Sequence, residues 1–169
     1  GGSDPHSSEY PAPRWRQVEW LIGFTAEAGD VVVTEDHVGL WTDSRYFIQA
    51  ELQLKATGGE LHKTRVPGAV SIPQWLSDKA KVVAVDGICQ SVDAVSDLKA
   101  AIGDEGVIVD IPDLLEELWS DRPACPVTPI TTLDVECFGG IPRNEKLQWL
   151  REWMLQGGYD KMLLSSLDG

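Results

Sequence analysis

Short runs of β-branched residues alternate with helical segments through the middle of the chain, and this alternation restricts the fold more than any other feature. KVVAVD (Lys81 to Asp86) is strand-like, Ser91 to Ile102 has helical spacing, and Val107 to Asp110 is strand-like again. Short helices are predicted on either side, at Ile72 to Asp78 and at Asp113 to Trp119. Because strands separated by helices pair in parallel, we predict an α/β fold with helices packed on the sheet. Together with the antiparallel hairpin described next, this makes the predicted sheet mixed.

A β-hairpin precedes this series. VVVT (Val31 to Thr34) and VGLWT (Val38 to Thr42) are joined by the polar turn Glu35-Asp36-His37, a pattern typical of two antiparallel strands. The other elements predicted in this part of the chain are a helix at Pro13 to Ile22, a helix at Arg45 to Leu54 capped by Ser44, and a strand at Glu60 to Val66.

The last third of the chain has a different character. SDRPACPVTPI (Ser120 to Ile130) holds three prolines and predicts an extended connector. Asn144 is a candidate cap for a helix at Glu145 to Gln156, which Gly157-Gly158 would end, and Tyr159 to Ser166 is strand-like. We therefore predict a first domain at 1–126, a linker at 127–143, and the start of a second, similar domain at 144–169.

Composition limits the class of protein. Of the 169 residues, 43% are hydrophobic and 24% are charged, so the chain can bury a core and is not expected to be disordered. The net charge of -13 argues against nucleic-acid binding, which needs clustered lysine and arginine, and it leaves open a basic protein partner. Three cysteines without metal-site spacing are typical of reduced, cytoplasmic proteins. No apolar run is long enough to predict a membrane span.

The sequence contains no common catalytic or metal-binding motif. Its three histidines, His6, His37 and His62, fit no HExxH pattern, and neither a phosphate-binding loop nor a nucleophile elbow occurs. Asp4 and His6 offer a carboxylate and an imidazole, but the pattern favours a turn in which Asp4 binds the backbone ahead of Pro5. We expect no catalytic residue, metal ligand or cofactor in this chain.

An aromatic and charged cluster lies where the second hairpin strand gives way to a helix. WTDSRY places Trp41, Asp43, Arg45 and Tyr46 within six residues. Taken alone, these residues favour a buried tryptophan and an ion pair between Arg45 and Asp43. A ligand-binding role for the guanidinium is the alternative.

Four stretches, in order and spread over nearly the whole chain, resemble the N-terminal region of aminopeptidase P, the Xaa-Pro aminopeptidase, in its long three-domain form. They are DPHSSEY (Asp4 to Tyr10), EWLIGFTAEAG (Glu19 to Gly29), LWTDSRYFIQAELQL (Leu40 to Leu54) and WSDRPACP (Trp119 to Pro126). The tail from Asn144 resembles the start of this family's second domain. Ser44 stands where the family has glycine, and Glu27 adds a negative charge to the GFT loop, departures that bear on fine specificity.

The resemblance implies roles for individual residues. Arg45 is expected to bind substrate, as a forked donor to the carboxylate or carbonyl groups of a peptide, with Trp41 and Tyr46 as aromatic walls beside it. The remaining motif residues are expected to be structural, and these are Asp4, His6, Glu9, Tyr10, Gly23, Phe24 and Asp43.

The resemblance also implies an architecture. Two creatinase-like domains precede a catalytic domain that holds two divalent ions, usually manganese, through two Asp, one His and two Glu. We expect those ligands to lie beyond this chain, and we expect the chain to lack the first domain's front helix and strand. The parent enzyme is expected to be a cytoplasmic homodimer that removes the residue before a proline at the second position of a peptide. This region would restrict access to the active site, contribute to substrate binding and support dimer formation.

Two alternatives stay open at this point. The helix and strand at 145–166 could fill the open edge of the first domain, within one chain or by exchange between two copies. The chain could also be a catalytically dead creatinase-like binding module, as in a histone chaperone, because its acidic charge suits a basic partner. Salt-sensitive histone binding would favour that module, whereas metal ligands encoded downstream would favour the peptidase.

The purified chain alone is expected not to hydrolyse peptides, since the metal ligands implied by the resemblance are expected to lie beyond it. The measurement is release of the N-terminal residue from an Arg-Pro-Pro peptide in the presence of manganese. Metal-dependent release by this chain would contradict the expectation.

Overall fold

The computed structural model describes residues 4–135, 137 and 140–164. The chain divides into two compact units, Gly1–Pro126 and Val127–Gly169. No helix among the described residues has the length and apolar character needed to cross a membrane.

The first sheet is mixed and has three strands, β1 (Asp30–Val33), β2 (Val38–Thr42) and β3 (Glu60–Lys63). Its order is β1-β2-β3, with β2 antiparallel to β1 and parallel to β3. The predicted hairpin and the predicted mixed sheet are thereby confirmed. β2 is hydrogen-bonded on both edges, and four of its five residues are buried.

Helices cover one face of this sheet. α1 (Gln17–Ile22) follows a single 3-10 turn at Pro13–Trp15, and α2 (Phe47–Gln53) runs into another at Leu54–Ala56. The side chains that fill the space between these helices and the sheet are Ile22, Phe24, Leu40, Ala50 and Leu54. Phe24 and Leu40 are at most 1% exposed, so this cluster is the centre of the first core.

A second, two-stranded sheet carries the predicted strand-helix-strand series. Its elements are α3 (Ile72–Ser77), β4 (Val82–Val85), α4 (Val92–Ile102) and β5 (Val107–Asp110), and β4 is parallel to β5. The Ser91 side chain caps α4 by accepting a hydrogen bond from the Ala94 N–H. Leu76, Val85 and Leu98 form the core here, and Val32 of β1 packs against them.

The cap predicted for α2 is wrong. The helix begins at Phe47 after Tyr46, and no side chain caps it. The residues between strand and helix form a turn instead, because Asp43 accepts from the Arg45 N–H through its side chain and from the Tyr46 N–H through its backbone carbonyl. The hydrogen bonds that fix the chain between β2 and α2 are therefore made by Asp43 and not by Ser44.

The helix predicted at Asp113 to Trp119 is also wrong, because the segment forms successive turns. Asp113 has a left-handed backbone, with φ at 57°. A non-glycine residue in that region interrupts helical hydrogen bonding. Two arginines outside the predicted helix, Arg14 and Arg122, pair with the Asp113 carboxylate.

In the second unit, α5 spans Arg143–Gly157 and ends at Gly158, which has φ at 71°. The predicted glycine stop is confirmed, but the helix starts after Pro142, and Asn144 lies inside it. The strand predicted for 159–166 does not form over 159–164, and its last two residues lie outside the described part. Whether this segment opens a second domain stays a prediction.

Leu40 and Leu52 offer a matched test of the first core, since the former is 0% exposed and the latter 62%. Leu40→Ala should lower the free energy of unfolding by about 2–5 kcal/mol, because it leaves a cavity in packed surroundings. Leu52→Ala should change it by less than about 0.5 kcal/mol. Urea unfolding of both variants measures the difference, and equal losses would contradict the placement of the core.

Candidate functional site

The carboxyl end of β2 is fixed from two sides. The Thr42 hydroxyl donates to the Ala28 carbonyl at 2.6 Å, which ties the strand to the GFT loop. The Thr42 carbonyl accepts from the backbone N–H and the hydroxyl of Thr64, at 2.9 and 3.0 Å. The next residues of the chain therefore leave the sheet from a rigid point.

Arg45 and Asp43 form a two-pronged ion pair directly after this point. The Arg45 Nε lies 2.9 Å from one Asp43 carboxylate oxygen, and Nη2 lies 2.8 Å from the other. The ion pair predicted from the sequence is thus present. The Asp43 side chain is 12% exposed and that of Arg45 63%, so the pair holds the guanidinium in place while leaving it open to solvent.

The surroundings of Arg45 keep it charged and oriented. Its guanidinium carbon lies 5.0 Å from the centre of the Tyr46 ring, a cation–π contact. That ring meets Phe24 edge to face at 6.4 Å, and so is anchored in the first core. Hydrogen bonding to Asp43 raises the pKa of Arg45, and the negative charge of Glu27 acts in the same direction. Two of the five guanidinium N–H donors engage Asp43, and the other three donate to none of the described residues.

Trp41 is buried, as its residue type favours, and the role beside a bound peptide that the resemblance implies for it stays a prediction. Its side chain is 2% exposed, and its indole N–H donates to the Val70 carbonyl at 2.9 Å. The ring stacks on His62 at 3.9 Å and meets Trp75 edge to face. Trp41 therefore packs behind the junction, on the sheet face opposite the α1/α2 core.

The GFT loop lies beside the junction. Gly23 ends α1 in a left-handed conformation, with φ at 70°, which glycine adopts without strain. Phe24 then enters the core. The Thr25 hydroxyl accepts from the side-chain amides of Gln49 and Gln53 at 3.0 and 2.9 Å, which joins the loop to α2.

The DPHSSEY segment forms a turn around Asp4. One carboxylate oxygen of Asp4 accepts from the backbone N–H groups of His6 and Ser8, both at 2.9 Å. Burial opposes ionisation of this carboxyl, but the two donors outweigh it and lower its pKa. The predicted turn is confirmed. The side chains of His6, Glu9 and Tyr10 are exposed.

A charged cluster that was not predicted connects WSDRP to the N-terminal segment. The Arg122 side chain is 3% exposed and pairs with the carboxylates of Asp113 and Glu116. Arg14 pairs with the same two carboxylates, and its backbone carbonyl accepts from Arg122 Nε at 3.1 Å. The Trp119 ring lies 5.5 Å from the Arg122 guanidinium. Arg14 is about a hundred residues from its partners along the chain, so no local pattern reveals the cluster.

Comparison with known proteins identifies the family. Residues 13–118 match the model of the creatinase/prolidase N-terminal domain. The chain belongs to this family. It is 34% identical to aminopeptidase P2 of Arabidopsis thaliana and to the Xaa-Pro aminopeptidase app-1 of Caenorhabditis elegans, over 98% of its length in each case.

A solved structure supports the same grouping. The X-prolyl aminopeptidase of C. elegans, described as a cytosolic enzyme with a di-nuclear active site, matches 93% of this chain with a TM-score of 0.76 and 34% identity. The chain covers 26% of that structure and 24–28% of the two relatives, so it spans about a quarter of their length. This creatinase/prolidase N-terminal domain is mixed α/β, as predicted.

The described residues do not fit the metal pair that the resemblance implies. That pair needs two Asp, one His and two Glu. Within the described part of the chain, the group of three or more potential ligands close enough to share an ion is His37, Glu60 and His62. Its two imidazoles and single carboxylate are a different donor set.

The Arg45 pair makes the titration of Asp43 testable. Hydrogen bonds from Arg45 lower the pKa of Asp43 from the usual 3.8 to about 2, although burial opposes them. The ion pair therefore stabilises the fold fully above pH 3.8, and this stabilisation is lost as pH falls through about 2.

An NMR titration of the Asp43 carboxyl carbon should give a midpoint of about 2 in the wild type, moving toward 3.8 in Arg45→Ala. Arg16→Ala, which removes an exposed partner of Glu19, is the control and should leave the midpoint unchanged. A wild-type midpoint near 3.8 would show that the pair does not persist in solution.

Proposed function

We propose that this chain is the accessory N-terminal region of a metal-dependent Xaa-Pro aminopeptidase. The region would border the entrance to the active site, restrict it to short peptides with proline second, and support assembly of a homodimer. The family match supports this proposal. So do the two relatives named above, an aminopeptidase P2 and a Xaa-Pro aminopeptidase, whose matches cover 98% of this chain. Catalysis would belong to the other three-quarters of the protein.

The observation that carries the proposal is the geometry of Arg45. Its guanidinium is exposed, paired with the Asp43 carboxylate and in cation–π contact with the Tyr46 ring. A fixed fork of donors suits a carboxylate or successive carbonyl groups of an extended peptide, and the ordering costs little entropy because the side chain is already immobilised. We assign Arg45 and Tyr46 to the substrate-facing rim, whereas Trp41 is buried on the sheet face opposite the α1/α2 core.

The metal chemistry is proposed for the parent alone. The di-nuclear active site of the C. elegans enzyme supports a divalent pair, which we take to be manganese, in a later domain. Such a pair would supply the hydrolytic chemistry of the parent enzyme. This chain's residues would orient the peptide and limit its length. The cytosolic description of that enzyme supports a cytoplasmic parent.

In the intact enzyme, Arg45→Ala should raise KM about tenfold or more while leaving kcat and metal content close to wild type. The reason is that a charged hydrogen bond to the peptide is lost, whereas the metal ligands are untouched. Arg45→Lys keeps the positive charge but loses the paired guanidinium donors, so its KM should lie between those of the wild type and Arg45→Ala. Steady-state kinetics on an Arg-Pro-Pro peptide, with metal analysis, measures these effects.

Arg16→Ala serves as the control, because Arg16 is an exposed arginine paired only weakly, at 3.5 Å, with Glu19. Its KM should match the wild type. An unchanged KM in Arg45→Ala would remove Arg45 from the substrate site, and a loss of bound metal in that variant would show that its effect is structural.

A further inference from the structure

Two of the chain's three histidines and a glutamate come together on the first sheet. His37 lies in the hairpin turn that leads into β2, and Glu60 and His62 belong to β3. One ligand atom from each residue lies within 4.8 Å of the others, and the His37 Nδ1 is 3.7 Å from a Glu60 carboxylate oxygen.

The parallel register of β2 and β3 creates this grouping. Gly39 is paired with Glu60 and Trp41 with His62, so these side chains share the face opposite the α1/α2 core. Gly39 leaves the space that His37 uses, since a Cβ there would lie 2.9 Å from the His37 Nε2 and 2.6 Å from the Trp41 ring. Glycine at position 39 therefore allows the His37 ring to pack over this face of the sheet.

Both imidazoles are held in place by aromatic rings. His62 is stacked on Trp41 with ring centres 3.9 Å apart and planes 5° apart. His37 is stacked on Trp75 of α3 at 4.9 Å. The ring orientations are therefore fixed by packing, so an ion would not have to order these side chains.

The Nε2 atoms of His37 and His62 are both buried, and neither has a hydrogen-bond partner within the described residues. Buried polar atoms without hydrogen-bond partners are uncommon because they destabilise the folded state. Two such atoms in neighbouring imidazole rings therefore require an explanation. Packing of aromatic rings alone accounts for the stacking but not for the adjacent carboxylate and the unpartnered nitrogens.

We propose that His37, Glu60 and His62 bind one divalent transition-metal ion of the zinc class. Two neutral imidazoles and one carboxylate are a donor set that zinc, cobalt and nickel accept, and three protein ligands leave a further position for water. Ligand atoms around such an ion lie about 3.3–3.6 Å apart, given metal–ligand distances of about 2.0–2.2 Å. The His37 and Glu60 ligand atoms, 3.7 Å apart, are already close to that spacing, and binding would bring the more widely spaced atoms of the three together by up to about an ångström.

The ion would have a structural effect. It would join the hairpin turn to the edge strand β3, which pairs with β2 on one side and does not pair with another strand in the described part of the chain. Since the ligands come from segments more than twenty residues apart, binding would stabilise the folded chain over the unfolded one.

The test uses the purified chain, freed of metal with a chelator and then titrated with zinc or cobalt chloride. We expect one ion per chain by calorimetry, visible absorption bands from bound cobalt, a change in tryptophan fluorescence, and a higher melting temperature. Glu60→Gln, His37→Asn and His62→Asn should each weaken binding about tenfold or more. Glu60→Gln changes an exposed side chain, so its fold should be intact by circular dichroism.

His6→Asn is the matched control, because it removes the third histidine, which is exposed and distant in sequence, and should keep wild-type affinity. The proposal is overturned if the wild type binds neither ion, if His6→Asn weakens binding as much as the other variants, or if the combined His37, Glu60 and His62 variant still binds with wild-type affinity.

Discussion

The arrangement of this domain depends on one strand, β2, which is hydrogen-bonded along both edges and enclosed on both faces. Leu40 points into the helical core, and Trp41 points to the opposite side, where it packs against His62 and Trp75. A strand held in this way cannot shift register without moving every buried side chain to the wrong face. Its carboxyl end is consequently a rigid base for the turn at Asp43.

That short polar turn presents one cation. Asp43 bonds the backbone of the turn and the guanidinium of Arg45 together, so the same carboxylate shapes the chain and aims the side chain. The free energy of ordering Arg45 is thereby supplied by the fold rather than by a ligand. This arrangement suits the accessory role proposed above, in which the domain would contribute position and shape.

Local patterns predicted β1 to β5, predicted a strand at 159–166 that does not form over 159–164, and did not reveal the contacts between distant segments. The hairpin and the parallel β4–β5 pair were visible because β-branched runs and their turns are local signals. The turns at Asp113 were missed because arginines at 14 and 122 decide them, and the histidine group was missed because it depends on the register of β3 against β2. The Arg45–Asp43 pair and the burial of Trp41 were both predictable from the residues of WTDSRY.

The most direct test of Arg45 as a peptide-binding residue is a crystal structure of the intact enzyme with a bound Xaa-Pro peptide or an unreactive analogue. At least one Arg45 guanidinium nitrogen should lie within about 3.2 Å of a peptide oxygen, with the Asp43 pair retained. A peptide bound with no atom in reach of Arg45, in either subunit of a dimer, would contradict this role.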